Sequence, residues 1–437
     1  MGHFWRILYN GFGIPVLYAG LMLASLFRSK IRKGRAGRRD LFKKLESALP
    51  GLAGKNPRFW IHNSSMGEFE QAKPLIERLK ETFPNGSVVV SFFSPSGYDH
   101  VQDYPNADLI CYLPFDSQSN AKRFISLLEP DAAVVIRHDL WPNHIWELNK
   151  RRIPLFLANC SIRPHRLYSL PLAKQACRSV YNAFTEILAV STEAKTFCER
   201  THFAAGKVAV VGDTRYDQVV KRAREAENIV APLRRLKKNR LGLVCGSTWA
   251  SDEDVIIPVI DRLLKRGVRL WPVLVPHEPT PEHLTDLEDK LARRNIRAVR
   301  LSRLGSAERH DGDALLVDRV GILASLYALG EVSFVGGGFG PGVHNVLEPA
   351  ALGKAIFYGP RCRNSYEAGQ FEKRGVGFVV DSEEQFFDAL FPLLNDPAQM
   401  ARIGRAAAGL VKENVGATER IVKHIASHIG KRMKKRD

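Results

Sequence analysis

At 437 residues, with 45% hydrophobic residues and 24 scattered prolines, the chain is long enough for two ordinary domains and is globular, not disordered. Its six cysteines (Cys111, Cys160, Cys177, Cys198, Cys245, Cys362) show no CxxC pair and no metal-ligand spacing, which argues against a disulfide framework or a zinc site and for a reducing compartment. The 64 Lys and Arg against 46 Asp and Glu give a formal charge of +18, which leaves nucleic acid, an anionic membrane or a phosphorylated substrate as partners.

Between Arg6 and Arg28 runs "ILYNGFGIPVLYAGLMLASLF", with no charged residue. A bilayer core needs ~20 apolar residues, so this stretch is long enough to cross one. Arg28, Lys30, Arg32, Lys33, Arg35, Arg38, Arg39, Lys43 and Lys44 follow, against the single acid Asp40. The positive-inside rule makes this flank cytoplasmic, and the same charges suit anionic head groups. A cleaved signal peptide would be shorter and would carry its basic residues first. Gly13 and Pro15 weaken a span, so a helix lying in the interface stays open as the second reading. Residues 1–45 are read as membrane anchor and basic flank.

The next element is a strand, "RFWIHNS". A helix follows in "EFEQAKPLIERLKETF", with Phe69, Ala72, Ile76 and Leu79 on one face. "SVVVSFF", "AAVVIR" and "IPLFLAN" read as further strands, and "KVAVVGDTRYD" closes this half. The polar, basic stretch 221–240, broken by Pro232, reads as a linker region. The pattern then restarts with "LGLVCGS", the loop "TWASDED", a helix, "LWPVLVP", another helix and "VSFVGGG". Residues 398–430 read as helix, before a solvated basic tail. Strands alternating with helices predict parallel sheets covered on both faces. The expected organisation is α/β, with two Rossmann-like doubly wound domains facing a cleft, 46–225 and 226–437, the last helix packing back toward the first domain. Ligands of such sheets sit at the carboxyl ends of strands, here loops 64–68, 94–97, 137–143, 212–217, 246–252, 276–280 and 336–345.

The loop "GGGFGPGVHNVLEPAALGK" (336–354) joins a strand to a helix. Glycines let another molecule approach the main chain, and a helix start attracts anions. It is neither a Walker A loop nor a GxGxxG fingerprint, because no GK[ST] follows and Pro341 stands where the last glycine belongs. Two readings stand together: an anion cradle, and a tight turn in which Asn345 caps the helix and Glu348 completes a capping box.

"IHNSSMGEFEQAKPLI", "SFFSPSG", "YLPFD", "LWPN", "GDTRYD", "GSTW", the glycine loop and "YGPRCRNSYEA" occur in this order, and the match they mark covers about residues 57 to 430. The set resembles the 3-deoxy-D-manno-octulosonic acid (Kdo) transferases, family 30 of the glycosyltransferases, with "GDTRYD" and "GGGFG" in a divergent form. The resemblance implies a GT-B fold and inverting transfer of Kdo from CMP-Kdo to the lipid A precursor, lipid IVA. It places the reaction at the cytoplasmic face of a Gram-negative inner membrane and implies no metal or other cofactor for transfer.

Residue by residue, the resemblance makes Glu68 the general base that takes the acceptor's proton. A helix start favours its ionised form, although any first-turn acid complements the dipole in the same way. Donor binding falls by resemblance or position to Gly337, Gly338, Gly342, His344, Asn345, Glu348 (on the ribose), Ser247 and His277. Acceptor binding falls to Ser65, Gly67, Asp139 and Arg163, with Arg137 and Arg166 as further basic contacts. Asn364 and Glu367 match a motif near the donor, where capping is the equal alternative. Two departures stand out: Arg137 replaces an acid two residues before Asp139, and "VPHEP" puts His277 where an Arg-His pair is usual. A transferase using another sugar nucleotide is the enzymatic rival, and an inactive membrane adaptor is the non-enzymatic one. The absence of a basic-aromatic recognition motif argues against nucleic acid.

Overall fold

The computed structural model describes residues 2–165, 168, 170–203, 207–304 and 312–433. The chain divides into two compact units, residues 1–218 with 415–437, and residues 219–414.

The first unit is built on seven parallel strands: β1 (Arg58–Asn63), β2 (Ser87–Phe92), β3 (Leu109–Tyr112), β4 (Ala132–Ile136), β5 (Leu155–Cys160), β6 (Glu186–Ala189) and β7 (Val208–Val210). Their order is β3-β2-β1-β4-β5-β6-β7. β2, β4 and β5 are buried at every residue, because helices cover both faces of the sheet. Alternation along β1 feeds two cores: Trp60 joins Phe124, Ala133 and Trp146, while Phe59 and Ile61 join Phe69, Ile76 and Val134.

The second unit repeats the plan with β8 (Leu241–Thr248), β9 (Leu270–Pro276), β10 (Ala298–Arg300), β11 (Ala314–Leu316), β12 (Val332–Val335), β13 (Ala355–Tyr358) and β14 (Gly377–Val379). These are also parallel, in the order β10-β11-β9-β8-β12-β13-β14.

Two stretches depart from the sequence reading. The expected linker at 221–240 lies mostly within one helix, Thr214–Lys237. Val219, Ala226 and Val230 are buried at helical spacing, and this apolar stripe outweighs Pro232, which removes a single backbone donor. The expected helix at 398–430 is two helices, Pro397–Glu413 and Ala417–Met433, separated where Gly416 adopts φ +100°. The second belongs to the first unit. Its Ile421, Ile425 and Ile429 enter the core beside Phe69 and Ile76, and Asp217 takes the N–H groups of Gly416 (2.6 Å) and Thr418 (2.7 Å) at its start.

The apolar N-terminus forms Gly2–Leu8, a π-helical turn at Tyr9–Gly13 and the helix Ile14–Phe27. Phe4–Phe27 has a mean hydropathy of 1.5, apolar and long enough to cross a membrane. The π turn comes just before Pro15, where a backbone donor is missing. Tyr9 Oη donates to Asp116 at 2.9 Å, and the Asn10 and Asn143 amides exchange bonds of 3.0 and 2.9 Å. Asp116 also accepts from the N–H groups of Asn143 and His144, both at 3.1 Å, at the start of the helix Pro142–Lys150. "YLPFD" thereby holds "LWPN" in place, and both hold the N-terminal helix.

Candidate functional site

In the first unit the strand order reverses between β1 and β4, so the loops leaving those strands flank the ligand crevice of such a sheet. Ser65 is the N-cap of the helix Met66–Thr82 and Glu68 its third residue. The Ser65 N–H donates to Glu68 Oε2 at 3.1 Å, and the Ser65 hydroxyl donates to the same oxygen. The dipole-complementing acid is therefore a real structural role. Yet Glu68 is only half-buried, and among the described residues Oε1 has no hydrogen-bond partner. A carboxylate with one oxygen fixed and the other available is the form a base needs. Gly67 is exposed, and an added Cβ would meet only the Ser65 hydroxyl, at 3.8 Å, so the helix start is open to an incoming group.

Asp139 stands on the neighbouring loop, where His62 Nε2 approaches its Oδ2 at 2.9 Å. Behind His62 the relay continues: Trp60 Nε1–H donates to Ser91 Oγ, and Ser91 Oγ lies 2.8 Å from His62 Nδ1. With His62 neutral, Ser91 donates to Nδ1 and Nε2–H donates to Asp139. Burial, the largest single influence, works to raise the Asp139 carboxyl, but His62 first, with the Trp141 and Ser64 side chains, together outweigh it and hold the group below the usual carboxylate range. Arg137 leaves β4 in the left-handed region, φ +63°, while Arg163 is exposed beyond β5. Arg166 lies outside the described residues. Asn63, at the end of β1, is fully buried, and neither of its amide atoms has a partner among the described residues. Sequence reasoning passed over His62 and Ser91; "IHNSSMGE" contains the first, and nothing local signals the second.

In the second unit the reversal falls between β8 and β12, bringing the end of β8 and the residues after it beside the glycine loop. The glycines are used by the protein itself. A Cβ on Gly336 would stand 2.3 Å from the Ser247 carbonyl, and one on Gly338 would stand 2.4 Å from the Gly359 nitrogen. Gly337, at φ +89°, and Gly342, at φ +129°, require a conformation that other residues rarely adopt. Asp252 is fully buried and accepts from the N–H groups of Gly337 (2.7 Å), Trp249 (2.9 Å) and Phe339 (3.1 Å). The anion that part of the cradle holds is therefore a side chain of the protein.

The expected capping box at Asn345 and Glu348 does not form. Asn345 Oδ1 accepts from Leu347 N–H at 3.1 Å in a two-residue turn, while Glu348 approaches Arg222 Nη1 at 3.5 Å. The helix Leu347–Ala351 starts after Val346, so Asn345 stands one residue before the N-cap and Glu348 is the second helical residue where the box needs the third.

What the glycine loop does present is an aromatic group. His277, leaving β9, stacks on His344 with ring centres 4.4 Å apart and on Trp249 at 4.8 Å. Trp249 Nε1–H donates to His344 Nε2 at 2.9 Å. Because that nitrogen accepts, neutral His344 carries its proton on Nδ1. Burial first, and then His277, lower the His344 ring to a pKa of about 4. Ser247, at φ +53°, sits at a bulge in the pairing of β8 with β9, its carbonyl against Gly336. Asn364 donates to the Val343 carbonyl at 2.9 Å, and Glu367 accepts from Ser365 at the start of Tyr366–Lys373, so both have structural work. Trp249 and Asp252 were missed as individual residues, although "GSTWASD" displays both. Among the described residues no group of three or more His, Cys, Asp and Glu side chains converges for a metal ion.

Residues 35–218 match the family model described as 3-Deoxy-D-manno-octulosonic-acid transferase (kdotransferase). A 3-deoxy-D-manno-octulosonic acid transferase of Haemophilus influenzae is 26% identical, over 96% of this chain and 97% of its own. One from Aquifex aeolicus is also 26% identical, over 81% of this chain and 91% of its own. Among solved structures, a UDP-GlcNAc 2-epimerase from Neisseria meningitidis superposes with a TM-score of 0.62 at 15% identity, over 85% of this chain and 100% of its own. At that identity the likeness concerns fold alone, and it is of the GT-B class.

Proposed function

We propose that the chain is a Kdo transferase, like the family and relatives it resembles, and that it transfers Kdo from CMP-Kdo to the lipid A precursor with inversion at the anomeric carbon. The observation that carries the mechanism is the divided Glu68 carboxylate: Oε2 is fixed by Ser65, and Oε1 has no partner among the described residues. In this reading Oε1 takes the proton of the acceptor hydroxyl as its oxygen attacks the anomeric carbon. The bond from that carbon to the CMP phosphate breaks, and the phosphate leaves with the electron pair. Inversion follows because attack and departure occur on opposite sides in one step.

The second unit holds the donor. The His344 Nδ1–H and Ser247 Oγ are hydrogen-bond donors suited to the phosphate as its charge grows, and preorganised donors of this kind supply a large part of such catalysis. Asn345 is exposed beside them. Glu348 is placed on the ribose, and Gly337, Gly338 and Gly342 keep the loop tight enough to present His344. His277 supports His344 by stacking and offers its own ring edge to the nucleotide. On the acceptor side, Ser65, Gly67, Asp139 and Arg163 line the approach to Glu68. No metal enters the transfer in this reading. The N-terminal helix and its basic flank keep the enzyme at the cytoplasmic face of the inner membrane.

The test offers the purified full chain CMP-Kdo and, separately, UDP-sugars, with lipid IVA as acceptor. Mass spectrometry should show Kdo added from CMP-Kdo alone. Transfer from a UDP-sugar alone would replace this reading with another GT-B transferase.

A further inference from the structure

A cavity lies close to the Glu68 loop. The helices Ile14–Phe27 and Ser29–Gly37 form a hairpin whose inner side, with Tyr18, Leu21 and Met22, faces Phe93 and Phe115 beyond β2 and β3. They enclose about 140 Å³, almost wholly apolar. That approaches the ~150 Å³ of an engineered apolar cavity that stays dry and takes benzene, so there is room for a short run of methylenes.

Four observations say what belongs there. Arg38 builds the floor: its guanidinium donates to the carbonyls of Leu113 and Gly34, both at 2.7 Å, and of Phe93, and lies against the Phe93 and Phe115 rings. Each of its three nitrogens donates to a protein carbonyl, so it locks the wall. Lys30 and Arg35 also line the cavity but are exposed, marking its open side. Arg35 reaches only the Ser25 hydroxyl, at 3.5 Å, and among the described residues neither cation has a carboxylate partner, unlike Lys33, which pairs with Asp99. The other side of the first helix of the hairpin exposes Val16, Leu23 and Phe27, an apolar, membrane-suited surface that would bring the slot to the bilayer. Finally, the back wall is bonded to the catalytic loop: Ser94 N–H donates to the Ser64 carbonyl at 2.8 Å, and Phe93 stacks on Trp141 at 4.3 Å.

We propose that this slot seats part of one acyl chain of the lipid acceptor, with Lys30 and Arg35 on the acceptor's phosphate, so that its sugar hydroxyl lies at Ser65–Glu68. The inference rests on the acceptor class proposed above and adds the site that recognises its lipid end. Tyr9 and Asn10, bonded to Asp116 and Asn143, hold the hairpin on the unit and keep the slot formed. Each methylene buried in it should raise affinity about fourfold.

The experiment photolyses the full-length protein in mixed micelles with lipid IVA carrying a diazirine in one acyl chain. Adducts are expected on Tyr18, Leu21, Met22 or Phe115. Met22→Trp, which fills the slot, should abolish them, and Lys30→Gln with Arg35→Gln, both at exposed positions, should reduce them at least fivefold. A hundredfold excess of phosphatidylglycerol should leave them in place. In turnover the same variants should raise the acceptor KM about tenfold with kcat within twofold; with a fully deacylated acceptor, which keeps its phosphates, Met22→Trp should change nothing, whereas the Lys30 and Arg35 pair should still raise KM. Adducts confined to Val16, Leu23 and Phe27, labelling indifferent to Met22→Trp and to the charge pair, or displacement by phosphatidylglycerol would overturn the proposal. Labelling needs no donor, so slot adducts without any transfer from CMP-Kdo would sink the proposed reaction and leave the slot standing.

Discussion

Glu68 serves the helix and, in the proposed reaction, the acceptor as well. Glu68→Gln keeps an acceptor oxygen for the Ser65 N–H and removes the basicity. We expect kcat to fall by about 10²- to 10⁴-fold with donor KM within twofold, and thermal stability to change by less than about 1 kcal/mol, the scale of one cap. Steady-state kinetics and a melting curve check both. His344 makes a separate prediction, through pH. Its ring has a pKa of about 4, below the ~6.5 of an unfolded His. The unfolded chain therefore takes up this proton first as pH falls. The stability tied to the neutral ring is complete above pH ~6.5 and is lost toward pH 4. His344→Gln cannot titrate, so its urea midpoint should fall less across that window than the parent's. An imidazole NMR titration of His344 should show its midpoint near 4.

At the scale of elements, Asp252 is the pin of the glycine loop. Replacing it with Ala strands three N–H groups, that of Gly337 buried and those of Trp249 and Phe339 partly so, and we expect a loss of about 2 kcal/mol or more with a raised donor KM, read by denaturant unfolding and kinetics. In the first unit Ile425→Ala should cost about 2–5 kcal/mol, because the closing helix carries part of the core. These elements show what the sequence displayed and what it hid. Apolar runs such as "SVVVSF" and "LWPVLVP" announced buried parallel strands, and the loops flanking both strand-order reversals were among those marked. The helix through 214–237 was concealed because its apolar stripe is narrow and Pro232 suggests a break. The use of the glycines was concealed for a different reason. Periodicity cannot tell a loop emptied for a ligand from one emptied for Ser247, Gly359 and Asp252, all distant in the chain. Glu68, His344 and Asn345 were legible through their motifs, whereas Ser91, which orients His62 from the next strand, needed the register of β1 against β2.

For the whole molecule, a charge of +18 with nine basic residues packed into 28–44 beside an apolar helix describes two membrane attractions of different physics. Basic side chains near an anionic surface contribute about 1 kcal/mol each and are screened by salt, while the apolar helix is not. Vesicle binding should therefore fall at least tenfold between 50 and 500 mM salt, in lipid containing phosphatidylglycerol but not in neutral lipid, and a residue should persist. Salt-independent binding would remove the basic flank from the anchor. The central claim is tested most directly by single-turnover transfer, with purified enzyme in excess over lipid IVA, CMP-Kdo supplied, and product followed by mass spectrometry for the parent and Glu68→Gln side by side. We expect the parent to convert the acceptor with one CMP released per Kdo added, and Glu68→Gln to bind donor but leave the acceptor unmodified. Equal conversion by both proteins would contradict the assignment of Glu68 as the base.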